Sequence, residues 1–583
     1  MNAGDREFRI RPGRIKSTRA RKPKSFINRV LHAANMAGHV SPARRAAGRR
    51  HSTFGRGRIS FGRERLFNPA RRVTVKARVV RHRGRAFRSA PLAAHLSYLK
   101  RDGVTRSGEP AHMFDAGSDR ADEVAFEALT RDDRHHFRFI VSPEDAGDMI
   151  DLKAFTRDLM RQMEADLATP LSWVAVDHWN TDNPHIHVLV RGVDQDGGDL
   201  VISRDYISRG LRSRAEELVS IELGPKPEHE IKSALEREVT ADRWTGLDRE
   251  IRNCADEVGA VDLRPEVAGI SDADVSRLMR GRLQYLERLG LAMSAGPNEW
   301  MVELGAERKL RELGQRGDII TTMHRAFAAR GEERGVAAYA IESGGVRAPV
   351  IGRLVDKGLY DELTGEAYAV IDGVGGLAHH VRFRGVEAFD HAPPIGGIVE
   401  VRRFGGPDDP RPTLVLATRS DLDLQDQVTA SGATWLDHRL VERDPMPLAM
   451  SGFGREVRDA MRDRAEHLIA EGHAHRGQQG IVMQRDLLSN LRRKELDTVG
   501  ASLAADTGLP RLELTSGAQV AGTYRQRLVL SSGRFAMIDN GLGFYLVPWS
   551  REVDKRLGQH VGGLARAGGG IEWSFGRKRE LGL

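Results

Sequence analysis

Cysteine is almost absent from this chain: Cys254 is the only one among 583 residues. No intrachain disulfide can form, and a cysteine-built structural zinc site is excluded. This usage fits a reducing bacterial cytoplasm, and no secretory leader is expected. No apolar run reaches the ~18 residues of a membrane span, so no membrane insertion is expected. No P-loop or dinucleotide fingerprint is present: Gly373-Val374-Gly375-Gly376 lacks a strand–helix frame and reads as a turn. No internal repeat is read. Acidic residues are scarce in one place only. Residues 1–90 hold 26 Lys/Arg against Asp5, Glu7 and Glu64, and the rest of the chain holds 64 basic and 78 acidic residues. The formal net charge of +9 is therefore a basic arm on an acidic body. Such an arm is an electrostatic footprint for nucleic acid.

Against these absences stands a histidine cluster, His178-Trp-Asn-Thr-Asp-Asn-Pro-His185-Ile-His187. Alternate residues of a strand share a face, so His185 and His187 point together. Residues 172–177 read as a preceding strand, and Asn180 to Pro184 as the turn of a hairpin. His178 then lies opposite His185. Three neutral imidazoles on one sheet face suit a divalent metal.

The chain divides into six segments. Residues 1–72 form a basic arm expected to be disordered, and 73–227 a compact α+β domain. In that domain strands are read at 73–80 and 135–141, with helices at 89–103, 152–167 and 206–223. Residues 228–335 are helical and contain a winged-helix pattern: a helix over 278–289, Gly290, and two short strands about a Gly296-Pro-Asn turn. Arg277, Arg280, Arg282 and Arg288 of that winged-helix unit are placed to reach phosphates. Residues 345–420 read as a small β-barrel, 421–507 as helical, and 508–583 as a second β-module.

In the helix at 89–103, Leu92, Leu96 and Leu99 make the apolar stripe, and Tyr98 falls well off it, beside Lys100 and Arg101. A tyrosine set against a histidine-held metal suggests phosphoryl chemistry. The cation polarises a scissile phosphate, the phenolate attacks phosphorus, a phosphotyrosine forms and a 3′-hydroxyl leaves.

Three stretches, in order, resemble the three motifs of conjugative relaxases: Leu92-Ala-Ala-His-Leu-Ser-Tyr98-Leu-Lys-Arg-Asp-Gly, Phe137-Arg-Phe-Ile-Val-Ser142-Pro-Glu-Asp, and the histidine cluster. These are mobilisation nucleases of the His-hydrophobic-His superfamily, and the similarity is nearest to the MobP type that includes the Ti-plasmid border nuclease. It spans about 73–225, and the remainder resembles the uncharacterised C-terminal region of integrative-element relaxases. The resemblance implies an α+β fold: an antiparallel sheet centred on the histidine hairpin with helices on one face. The helical, winged-helix and β-barrel-like segments follow it. It implies Tyr98 as nucleophile, His178, His185 and His187 as ligands of Mg²⁺ or Mn²⁺, and DNA contacts from Ser142, Lys100, Arg101 and Arg138. Asn180 stands where the family often carries Asp, and Asn cannot take a proton. The general base is left open between Asp182 and Asp177.

The implied activity is strand-specific nicking of single-stranded DNA at a transfer origin and rejoining after transfer. Implied partners are accessory relaxosome proteins, a type IV coupling protein and its secretion channel, with export of the protein attached to DNA. Two other readings stay open: a rolling-circle replication initiator, and a non-enzymatic winged-helix regulator.

Overall fold

The computed structural model describes residues 66–81, 99, 105–109, 111–179, 183–264, 272–341, 348–406, 409, 413–478, 480–566 and 569–574. The chain is α+β and folds as two compact units, 1–321 and 322–583. No helix among the described residues is long and apolar enough to cross a membrane.

The first unit opens with a four-stranded antiparallel sheet. Its strands are β1 (Val73–Arg81), β2 (His135–Pro143), β3 (Trp173–His178) and β4 (His185–Arg191), in the order β1-β2-β4-β3. Alternation decides the two faces. Val73, Val75, Phe137, Phe139, Val141, Ile186, Val188 and Val190 point one way and are buried. Two helices cover them: α2 (Leu152–Leu167) with Phe155, Leu159 and Met163, and α3 (Leu211–Leu223) with Leu211, Ala215 and Val219. Between β1 and β2 lies α1 (Glu123–Thr130). Asp151 caps α2 by accepting from the amides of Lys153 and Ala154. The packed body begins before residue 73. Leu66 is buried among Leu247, Leu263 and Leu278, and Arg71 pairs with Asp145 at 3.0 Å, so 66–72 do not belong to a disordered arm.

Next come α4 (Glu228–Val239), α5 (Gly246–Cys254), β5 (Ala260–Asp262), α6 (Ala273–Arg288), a wing of β6 (Ala292–Gly296) and β7 (Glu299–Val302), and α7 (Ala306–Ala328), within which the chain passes to the second unit. Arg282 of α6 is fully buried, which overturns its expected reach to phosphate. Its Nε and Nη2 hold both oxygens of Asp248 at 2.8 and 2.9 Å, and its remaining N–H groups donate to the carbonyls of Val239, Ala241 and Arg243. All five guanidinium donors are used internally. Arg277 is exposed but pairs with Glu236 and Asp274.

The second unit holds a six-stranded sheet, β13-β12-β9-β10-β11-β8, from β8 (Tyr339–Ile341), β9 (Val350–Asp361), β10 (Glu366–Gly373), β11 (Ala378–Phe383), β12 (Ile398–Phe404) and β13 (Thr413–Ser420). The expected small barrel is not formed. A barrel closes only when its first and last strands share a ladder, and β13 and β8 are the open edges of this sheet. After it come α8 (Leu424–Thr429), α9 (Trp435–Val441), α10 (Gly452–Ala470), a hairpin of β14 (Ala474–Gly477) and β15 (Gly480–Met483), and α11 (Leu487–Thr507). The last sheet, β18-β17-β16-β19-β20, is antiparallel and also open. It is built of β16 (Gln519–Leu530), β17 (Gly533–Asp539), β18 (Phe544–Pro548), β19 (His560–Ala565) and β20 (Ile571–Trp573).

An internal repeat is present, contrary to the sequence reading. Arg464 of α10 is as buried as Arg282 and bonded the same way, to both oxygens of Asp437 and to the carbonyls of Val428, Ala430 and Gly432. Thr245 and Asp248 form a capping box, and so do Thr434 and Asp437. Val-Thr-Ala-x-x-x-Thr-x-Leu-Asp occurs at 239–248 and again at 428–437. Both long helices end on a left-handed glycine, Gly290 at φ +72° and Gly472 at φ +76°. In each the following amide (Leu291, His473) bonds back to a leucine carbonyl (Leu286, Leu468), the Schellman closure. A two-stranded wing and one more helix complete each copy.

Candidate metal centre

The face of the first sheet away from α2 and α3 carries the histidines. His178 pairs with His185 across β3 and β4, and His187 is level with Val176 and with Ile140 of β2. Cross-strand partners share a face, so all three imidazoles stand together. Their ring centroids are 4.4–5.3 Å apart, one nitrogen from each lies within 4.8 Å of the others, and all three residues are buried.

The hydrogen bonds fix which nitrogens carry lone pairs. His185 Nδ1 is 2.9 Å from the Asn183 carbonyl, an acceptor only, so Nδ1 bears the hydrogen and Nε2 the lone pair. His178 Nε2 is 2.9 Å from the Leu99 carbonyl, so its lone pair is on Nδ1. His185 Nε2 and His187 Nε2 face each other at 3.1 Å. Two neutral imidazole nitrogens that close share either one proton or one cation. Backbone carbonyls holding the outer N–H groups are the usual second layer of a metal site. The three nitrogens therefore fit a cation. An all-imidazole set suits Mn²⁺ and other first-row transition ions better than Mg²⁺, which prefers oxygen.

The same face continues away from the histidines as a cationic strip. By register Thr74, Lys76 and Arg78 of β1 lie level with Ser142, Ile140 and Arg138 of β2. Lys76 and Arg78 are exposed, while Arg138 is buried and its Nε donates to His136 Nε2 at 3.1 Å. Arg78 stands directly opposite Arg138, so two like charges adjoin on this face. Lys76 and Arg78 were missed in the sequence. The signal was there, since Thr74-Val-Lys-Ala-Arg78 alternates polar and apolar residues, but its partner strand had first to be known. At the far end of β4, Arg191 is held by both oxygens of Asp133 at 2.9 and 3.0 Å, and that hydrogen-bonded carboxylate raises the guanidinium further above its ordinary pKa.

Of the other expected site residues, Ser142 is half-buried on the histidine face, next to the strand that carries His185. Tyr98, Lys100, Arg101, Asn180 and Asp182 lie outside the described residues, as do 1–65 of the basic arm. Asp177 is on the wrong face. It pairs with Ile186, a core residue, and accepts from the Trp179 indole at 2.6 Å. Strand alternation thus removes Asp177 as the proton acceptor.

Fold and site together define an α+β protein with a histidine-lined sheet face and two helix–wing modules. The chain belongs to the family described as Protein of unknown function (DUF3363), whose model matches residues 279–413 and 410–582. The matched residues begin inside α6, so the histidine face lies outside them. No curated protein and no solved structure matches the chain.

Proposed function

We propose that this protein is a relaxase-type nuclease that nicks one strand of DNA at a transfer origin and reseals it. The observation that carries the reading is the convergence of the buried His178, His185 and His187 on one sheet face, which at its β1 edge carries the exposed Lys76 and Arg78. The face is donor-rich and has two exposed cations, which suits a single strand lying across β1 and β2 with its phosphates toward Lys76 and Arg78. His178 and His185, their outer N–H groups fixed by backbone carbonyls, would hold Mn²⁺ or Mg²⁺ together with His187. The bound ion would set positive charge against the scissile phosphate. Tyr98 supplies the nucleophile: its oxygen bonds to phosphorus, the P–O3′ bond breaks, and the 3′ oxygen leaves as a hydroxyl after taking a proton. The energy of the phosphodiester is kept in the phosphotyrosine, so reversal reseals the strand. A single-stranded origin, relaxosome proteins and a coupling protein of a type IV channel are the partners this activity requires.

The test is adduct formation. Full-length protein with Mn²⁺ and oligonucleotides tiling the native element's origin should give a covalent protein–DNA species on a denaturing gel. Tyr98→Phe should abolish it and keep DNA binding. His187→Ala should lower it on the order of 100-fold or more, as loss of a ligand-level group does. An undiminished adduct from Tyr98→Phe would remove Tyr98 from the mechanism. Absence of any adduct across the whole origin would remove the nuclease reading.

A further inference from the structure

The second unit has a cleft of about 400 Å³ where three distant segments meet: the end of β13, the start of α9, and the β16–β17 turn with Trp549 and Arg551. Its polar groups are mostly donors. The carboxylate in the wall, Asp421, is occupied, because Arg534 holds both its oxygens and also donates to the His391 carbonyl at 2.8 Å. Arg551 is exposed and forms no ion pair among the described residues. Arg419, in the same wall, is offset by Glu400 but remains partly exposed. Ser532 Oγ accepts from the Ala433 amide at 2.8 Å, which leaves its own O–H to donate. His391 stands edge-on to Trp549 with ring centroids 4.9 Å apart, and its Nδ1 is buried without a hydrogen-bond partner. A buried polar nitrogen in that state is costly unless a ligand or water completes it.

The repeat supplies a comparison. In the first unit the equivalent helix α5 borders a cleft of about 620 Å³ against β1. There Gly246 and Arg249 stand where Trp435 and His438 stand in the second copy. Its charges cancel: Arg72, Arg212 and Arg249 face Glu144, Glu216 and Glu250. Only the second cleft is donor-rich with a surplus of positive charge.

We infer that the cleft between β13, α9 and the β16–β17 turn binds a phosphate ester, carried by a free nucleotide or by a nucleic-acid strand. Arg551 and Arg419 meet the phosphate oxygens, and Ser532 and the His391 ring complete its hydrogen bonds. This site lies apart in sequence from the histidine face and does not depend on the nuclease reading.

The experiment is calorimetric titration of the full chain with inorganic phosphate, dAMP and a ten-residue oligo-dT. Saturable binding of dAMP or of the oligonucleotide is expected. Arg551→Ala combined with Arg419→Ala should weaken it about tenfold or more, the scale of a lost charge-assisted contact. Arg249→Ala, in the charge-balanced cleft of the first unit, should leave it unchanged. Tighter binding of dAMP than of the oligonucleotide assigns a free nucleotide, and the reverse assigns a strand. No saturable binding of any of the three probes would overturn the inference. So would binding that survives Arg551→Glu in full, with an unchanged thermal melt showing that variant folded, or binding lost in Arg249→Ala but kept in the double variant.

Discussion

In the second helix–wing copy Glu495 of α11 is buried and accepts from the amides of Ser531 and Ser532 at 2.8 and 3.0 Å, fixing the β16–β17 turn beside Gly432. In the first copy the corresponding helix carries Gly314, and a side chain, Arg243, packs into the space. Around this difference the interior is the same. Each copy has the arginine on its aspartate, the three carbonyls, the capping box and the left-handed glycine. Buried bonding is kept because every donor and acceptor in it is matched, and removing one strands the rest. The outward positions are free to take different attachments, and the second copy has used them to dock a β-sheet.

The largest expected effect tests the shared interior. Arg282→Met or Arg464→Met leaves a buried aspartate unpaired, and each should cost roughly 3–5 kcal/mol of stability in its own unit. Urea unfolding followed by fragment-resolved hydrogen exchange reads this. Two losses of similar size support the equivalence, and a silent variant in either copy breaks it. Next comes the difference between the copies. Glu495→Ala leaves two amides without their acceptor and should cost about 1–3 kcal/mol, with faster exchange confined to the β16–β17 turn. Gly314→Ala in the first copy should disturb only the Arg243 contact and leave exchange of the sheets unaltered. The smallest effect is at the caps. Thr245→Ala and Thr434→Ala should each cost about 1 kcal/mol, and a marked inequality would show that one box is held by its surroundings.

Local pattern made much of the first sheet legible. Helix α2 lies at 152–167 as its spacing predicts, and the hairpin places the three histidines on one face. Asp177 was misjudged because it neighbours His178 in sequence, and in a strand neighbours face apart. The repeat escaped because its clearest sequence trace is one short run, 239–248 against 428–437, and β5 sits between α5 and α6 in the first copy only. Arg282 read as a surface cation because a sequence shows the charge and not the Asp248 that meets it. The barrel was a wrong closure: short glycine-broken strands predict sheet, and whether the edges join is set by twist and by partners far along the chain. Strand β19 contains Gly562 and Gly563, which favour a turn by propensity, yet it pairs along β16. A side chain at Gly563 would press on Ile571, so the close approach of β20 explains that residue.

The pairing of β3 with β4 has an evolutionary consequence. Sliding β4 by one residue would bring Ile186 and Val188 to the histidine face and turn both its histidines toward α2 and α3. The apolar residues that hold β4 in place are interleaved with its two histidines, so a change that loosened one set would misplace the other. The histidine cluster therefore cannot erode by small steps while the sheet persists. It is lost by replacing a histidine outright or kept whole.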